Sequence, residues 1–220
     1  LTIMHNADTP AGEFAWACKR VGTFVVEEAM SLLPYRQRCV DTPQGESYQG
    51  LELDVQHICG VSILRSGAIL ELPLRRALPA LSLGSVLIQS SDSNYRPLLY
   101  SVALPSFVRD RKRAEHTWVL LTDAQVGTGA AAFMAVRVLL DHGVPEDHII
   151  LLTLLASARG GLWSLYHAFP HIVIITASVD PGLQRFAWKS PLEHVHNEVP
   201  THATPLTTLS SIDSNHHGPI

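Results

Sequence analysis

The chain has 220 residues, enough for one domain with a sizeable core, and only 16% of them are charged, against the roughly 25% usual in soluble domains. A net charge of -4 without a basic block argues against nucleic acid as the main partner. Arg, Asp, Ser or Pro interrupts every apolar run before it reaches the ~18 residues that a membrane span requires, so no membrane partner is expected.

Cys18, Cys39 and Cys59 stand far apart with no CxxC pair. This favours reduced thiols in a cytoplasmic protein over a disulfide framework or a zinc site. A surface so poor in charge points to coverage by another subunit or domain. The start at Leu1, without a signal-type leader, is read as a segment of a longer protein.

Phe14, Ala17, Val21, Phe24, Val25, Ala29 and Leu32 recur at helical spacing and predict a helix over about 11–33. Thr9 is placed as its cap and Pro10 as its first residue, and Pro34 stops it. Residues 40–50, around the turn Pro43-Gln44-Gly45, read as a hairpin arm of two short extended pieces. From His57 onward, short apolar runs alternate with helical ones. Strands are expected at 58–64, 86–89, 118–121, 149–155 and 172–177, with a further extended piece at 98–103. Helices are expected at 67–77, 129–142 and 156–168. Leu-rich and β-branched runs separated by helices predict an α/β fold with a mostly parallel sheet covered on both faces. From Ser190 to Ile220 the chain is rich in Ser, Thr, His and Pro and keeps no period, so a domain over 1–189 and an irregular tail over 190–220 are expected. The tail histidines, among them His194, His196 and His202, lack Cys or carboxylate partners and make a poor metal set.

Open parallel sheets bind ligands beyond the carboxyl ends of their strands. Three such ends carry suitable chemistry. After the strand at 118–121 comes Thr122-Asp123-Ala124-Gln125-Val126-Gly127-Thr128-Gly129-Ala130, then a helix. Amide groups and a helix N-terminus make an anion cradle there, the Thr128 hydroxyl adds a donor, and Asp123 can accept from ribose hydroxyls or hold Mg²⁺. A plain strand-to-helix turn with Asp and Thr as local caps accounts for the same residues, so both readings stand at this point. No Lys follows the glycines, which excludes a Walker loop. The second end is Arg65-Ser66-Gly67, where an Arg can fork onto a diphosphate or simply face solvent. The third is Asp180, which also serves as an ordinary turn starter before Pro181.

Together these segments resemble the uracil phosphoribosyltransferases. The opening Leu1-Thr2-Ile3-Met4-His5-Asn6-Ala7-Asp8-Thr9, the arm from Thr42 to Gly50, the loop Gly60 to Gly67 and the stretch Thr122 to Ala131 all take part. The runs Thr128 to Ala132 and Met134 to Asp147 are most similar to the C-terminal uracil phosphoribosyltransferase-like domain of uridine-cytidine kinase-like proteins. The resemblance extends from Leu1 to about Leu183.

It implies a type I phosphoribosyltransferase-like fold with a β-hairpin arm. It also implies a pentosyltransferase of pyrimidine salvage, converting uracil and phosphoribosyl diphosphate to UMP and diphosphate with Mg²⁺. Arg65 and Asp123 are then the catalytic residues. Arg65, Ser66 and Gly67 face the diphosphate, and Asp123 faces the ribose hydroxyls or the metal. Ala124, Gln125, Val126, Gly127, Thr128, Gly129 and Ala130 complete the phosphoribosyl diphosphate site, and Asp180 lies where uracil enters. A homo-oligomer and a covalently fused uridine kinase domain are implied as well. Four departures weigh against full activity. The family's closing G-x-G-D-F-G-D-R-Y-F-G segment, which holds uracil, has no match. His5-Asn6 replaces Arg-Asp, Ala68 stands where Glu is frequent, and Ser82 where Arg is. The resemblance therefore implies impaired turnover, or a non-catalytic domain for ligand sensing or oligomerisation.

Overall fold

The structure is a computed structural model that describes residues 1–90 and 97–180. The expected domain boundary at 189 and the tail over 190–220 lie outside the described residues.

A short helix α1 (Thr2–His5) leads into the long α2 (Ala11–Ser31). Pro10, expected as the first helical residue, is instead the cap of α2. Thr9, expected as that cap, turns its hydroxyl the other way and donates to the Ile3 carbonyl at 2.8 Å, which ties α1 to the start of α2. After Pro34 the chain forms β1 (Tyr35–Asp41) and β2 (Ser47–Leu53), an antiparallel hairpin closed by Gly45 at φ 84°. The hairpin begins earlier and ends later than the expected 40–50. All of β1 is exposed, so no alternation of polar and apolar residues marks its ends. Across the hairpin both Arg36 and Arg38 pair with Glu52.

The main sheet contains β3 (His57–Leu64), β4 (Ser82–Ser90), β5 (Pro97–Ala103), β6 (Thr117–Val126), β7 (Ile149–Ser157), β8 (Val173–Thr176) and β9 (Val179–Asp180). Its order is β5-β4-β3-β6-β7-β8, with β9 paired to the end of β7. Neighbours are parallel except β5, which runs antiparallel to β4 along the edge. A 3-10 turn (Ser66–Leu70) and α3 (Glu71–Ala77) connect β3 to β4. Two short helices, α4 (Ser106–Arg109) and α5 (Arg111–Ala114), precede β6, and α6 (Ala130–Asp141) and α7 (Trp163–Ala168) follow β6 and β7.

Successive residues of each central strand point to opposite faces, so an unbroken apolar run supplies two cores. Val119, Leu121, Ile149 and Leu151 pack with Ala135, Val136 and Leu139 of α6 on one face. Leu120, Ile150 and Leu152 pack with Phe14, Val25, Val26 and Ala29 of α2 and with Leu70 and Leu74 on the other. Strand β7 is buried at every position. Cys18 and Cys59 sit in these cores, and burial pushes both thiols up to about 12, whereas Cys39 is exposed on β1. Among the described residues no helix is long and apolar enough to cross a membrane.

Two strands differ from their expected lengths near the candidate site. Strand β6 continues past 121 to Val126, and β7 continues through Ser157 into a π-helical turn (Ala158–Leu162), leaving only 163–168 as α-helix. From β3 the chain goes to β4 on one side, then returns to β6 on the other. That reversal opens a crevice between the carboxyl ends of β3 and β6, the position at which sheets of this kind bind ligands.

Candidate functional site

The β3 end of the crevice is the turn that starts at Arg65, joined to Leu64 through a cis peptide. Gly67 presses this turn against β6. A Cβ at Gly67 would lie 2.2 Å from the Thr122 carbonyl oxygen, so no larger residue fits without displacing backbone. The contact is reinforced from below. Ser62 and Thr122 lie opposite each other in the β3–β6 register, both fully buried. The Thr122 hydroxyl lies 3.1 Å from the Gly67 carbonyl and 3.2 Å from Ser62 Oγ, while the Ser62 hydroxyl donates to Glu71 Oε1 at 2.8 Å. A chain of polar groups thus fastens the Arg65 turn and the start of α3 to the end of β6. At the tip, the Ser66 hydroxyl donates to Asp123 Oδ1 at 2.5 Å, tying the Arg65 turn to β6.

On the β6 side, Thr122 to Val126 form strand, with Asp123 opposite Thr153 and Val126 opposite Ala156. The expected loop over Thr122–Ala130 is therefore shorter than its sequence suggests. Only Gly127, Thr128 and Gly129 turn, because Asp123 and Gln125 interrupt the apolar run without interrupting the β-ladder. Gly129, at φ 80°, caps α6 in a conformation that favours glycine. Thr128 is exposed, and its oxygen accepts from the Ala130 amide at 3.3 Å, which leaves the hydroxyl proton free to donate outward. Open space surrounds Gly127 where a side chain would be. Under the turn, the π-helical segment supplies a brace that sequence reasoning missed. A Cβ at Gly161 would meet Val126 Cγ1 at 2.5 Å and the Gly127 carbonyl at 3.0 Å, so the paired glycines Gly160 and Gly161 let the two backbones touch. A Gly-Gly directly after a buried strand was the available signal. Ser62 and Glu71 were also missed, and they carry no signal in the sequence.

Asp180 lies on β9 opposite Ser157, at the carboxyl end of β7 and so at the same edge of the sheet. Arg65 is exposed and makes no ion pair among the described residues. Ala124 and Val126 are buried within β6.

Asp123 is only 5% exposed, and burial pushes its carboxyl up to about 6, while the Ser66 hydroxyl and the Gln125 and Ala124 amides pull it back down. A buried acid with a raised pKa holds its proton more tightly in the native than in the unfolded chain. Stability should therefore fall as pH rises from about 4 through about 6, and the deficit should persist above that. Urea unfolding at pH 5 and pH 7 checks this. Wild type should lose about 1.3 kcal/mol more than Asp123→Asn over that interval, since roughly one pKa unit of the effect, at about 1.36 kcal/mol per unit, falls between those pH values.

The donor set suits a divalent cation brought in by its ligand. Asp123 supplies one carboxylate, and Mg²⁺ is commonly held by one or two carboxylates together with substrate phosphates and water. No group of three or more metal-binding side chains occurs among the described residues.

The sequence profile of the uracil phosphoribosyltransferases matches residues 1–191. The chain belongs to that family. It is 44% identical over 179 residues to Uridine-cytidine kinase-like 1 of Mus musculus, covering 81% of this chain and 31% of that protein. It is 38% identical to Uridine-cytidine kinase A of Dictyostelium discoideum, covering 83% of this chain and 35% of that protein. The chain thus spans about a third of the length of these two relatives. Uracil phosphoribosyltransferase 1 of Schizosaccharomyces pombe is 34% identical, with 86% of this chain and 83% of that protein covered. Among solved structures, a protein from Aquifex aeolicus matches with a TM-score of 0.67 at 22% identity, covering 79% of this chain and 78% of that one, which is a likeness of fold. The expected type I phosphoribosyltransferase-like architecture, a mostly parallel sheet covered by helices with a hairpin arm, is the one observed.

Proposed function

We propose that this chain binds phosphoribosyl diphosphate with Mg²⁺ and transfers the phosphoribosyl group to uracil, forming UMP and diphosphate in cytoplasmic pyrimidine salvage at a reduced rate. The observation that carries this reading is the contact between Ser66 and Asp123. It ties the Arg65 turn to β6, the strand that runs on into the Gly127–Gly129 turn, at the point where the sheet reverses direction.

In this reading the cation, bound with the substrate, offsets negative charge on the diphosphate. The protein's residues do the rest. Arg65 and the amides of Ser66 and Gly67 receive the departing diphosphate. The Asp123 carboxylate accepts from the ribose hydroxyls, and the amides from Gly127 to Ala130 hold the 5′-phosphate at the start of α6. No covalent nucleophile is required, because the bond at the anomeric carbon can break toward an oxocarbenium-like ribose before the base nitrogen closes in. Asp180, at the end of β7, stands on the side from which uracil would enter. The reduced rate follows from the sequence after Leu183, which lacks the family's uracil-holding segment. Each polar edge group of a buried base left unpaired costs about 1–3 kcal/mol.

A second reading is favoured by the hairpin arm, where Tyr48 is 61% and Leu51 72% exposed. Apolar side chains on so thin an element suit burial in a homo-oligomer or against a fused uridine kinase domain, with ligand sensing in place of turnover. Labelled uracil with phosphoribosyl diphosphate separates the readings. Slow but measurable UMP formation is expected. Heat of phosphoribosyl diphosphate binding without any UMP would leave the sensing domain, and no heat at millimolar ligand would overturn both.

A further inference from the structure

Ser66 has been assigned above to the ligand's diphosphate, yet its hydroxyl is spent inside the protein. It donates to Asp123 Oδ1, and the Gln125 amide donates to the same oxygen at 3.4 Å. The Asp123 carboxyl is thereby pinned from two sides on one oxygen. Ser66 itself is exposed and makes no other hydrogen bond among the described residues. Its position is imposed from outside the side chain, since Gly67 abuts the Thr122 carbonyl and Thr122 holds the turn through the Gly67 carbonyl.

We propose that Ser66 is a positioning residue, whose hydroxyl fixes the orientation of the Asp123 carboxylate that receives the ribose hydroxyls. This rests on the binding reading above. Aimed by Ser66 and Gln125, the carboxylate meets the sugar without first giving up rotational freedom. The charged groups on the elements packed around it are Arg65 on the turn and Glu71, which is reached through Ser62 and Thr122.

Two measurements on Ser66→Ala and Ser66→Thr test this. Carbon-13 relaxation of the Asp123 carboxyl in the ligand-free chain at pH 7.5 should show a less ordered side chain in Ser66→Ala and restored order in Ser66→Thr. Calorimetry of phosphoribosyl diphosphate with Mg²⁺ at pH 7.5 should show roughly tenfold weaker binding in Ser66→Ala, the loss of one hydrogen bond to a charged group, recovered in Ser66→Thr. Equal melting temperatures confirm that the exposed substitution leaves the fold intact. Unchanged carboxyl order in Ser66→Ala overturns the inference even if wild type binds the ligand. Lost order with unchanged affinity overturns it too, because the orientation would then not matter to binding. If wild type gives no heat, the binding reading itself has failed.

Discussion

Asp123→Asn should abolish phosphoribosyl transfer and weaken phosphoribosyl diphosphate binding by roughly 10²–10⁴-fold, while leaving the chain as stable as wild type or more so at pH 7. The loss follows from two ribose hydroxyls that each donate to a charged acceptor, at about 1.5–3 kcal/mol per bond. The gain in stability follows from burial. The ionised Asp123 carboxyl is only 5% exposed and destabilises the fold above about pH 6. Asn has the same shape, and its carbonyl oxygen can still accept from Ser66. Calorimetry and thermal unfolding on one preparation check both halves. A variant that binds as well as wild type would remove Asp123 from the site. One that unfolds several degrees lower would make Asp123 a structural residue rather than a functional one.

Gly67→Ala should cost about 3 kcal/mol, lower the melting temperature by roughly 6–12 °C, and reduce ligand affinity along with it. The new methyl group would lie 2.2 Å from the Thr122 carbonyl oxygen, a backbone atom held in the β3–β6 register at Ser62↔Thr122. No side-chain rotation relieves that clash. Either the turn lifts, breaking the Ser66–Asp123 and Thr122–Gly67 contacts, or the end of the strand shifts. Gly127→Ala is the matched control, since open space surrounds Gly127 and its backbone is not left-handed. It should leave the melting temperature within a degree or two. Equal tolerance at both positions would show that the Arg65 turn is not seated as described.

What the sequence disclosed depends on whether a residue's role is local. The runs at 58–64 and 149–155 announce buried strands because nearly every residue in them is apolar, Ser62 and Thr153 being the polar exceptions, and the structure places both in the sheet centre. The hairpin arm was recognisable from its Pro/Gly turn but not in its extent, since strands exposed on both faces keep no polar–apolar rhythm. The end of β6 was misplaced for the opposite reason. Asp123 and Gln125 look like loop residues, but their backbones stay in the ladder with β7. The turn at Gly127-Thr128-Gly129 was visible in its glycines, yet nothing in the chain's order brings Ser66 to a carboxylate 57 residues away. That contact needs the register of β3 against β6, and register is a property of the folded sheet.

The candidate site grows directly out of the two central strands, so its turns are anchored to the ladder that protects the molecule's middle. Hydrogen exchange at Thr122 to Val126 should follow whole-molecule opening, whereas the peripheral arm exchanges quickly. Anything that loosens the ligand's cradle must also loosen the sheet's centre. The geometry proposed above to receive a sugar phosphate would then persist in the absence of any occupant, and association should proceed as docking onto a preformed surface.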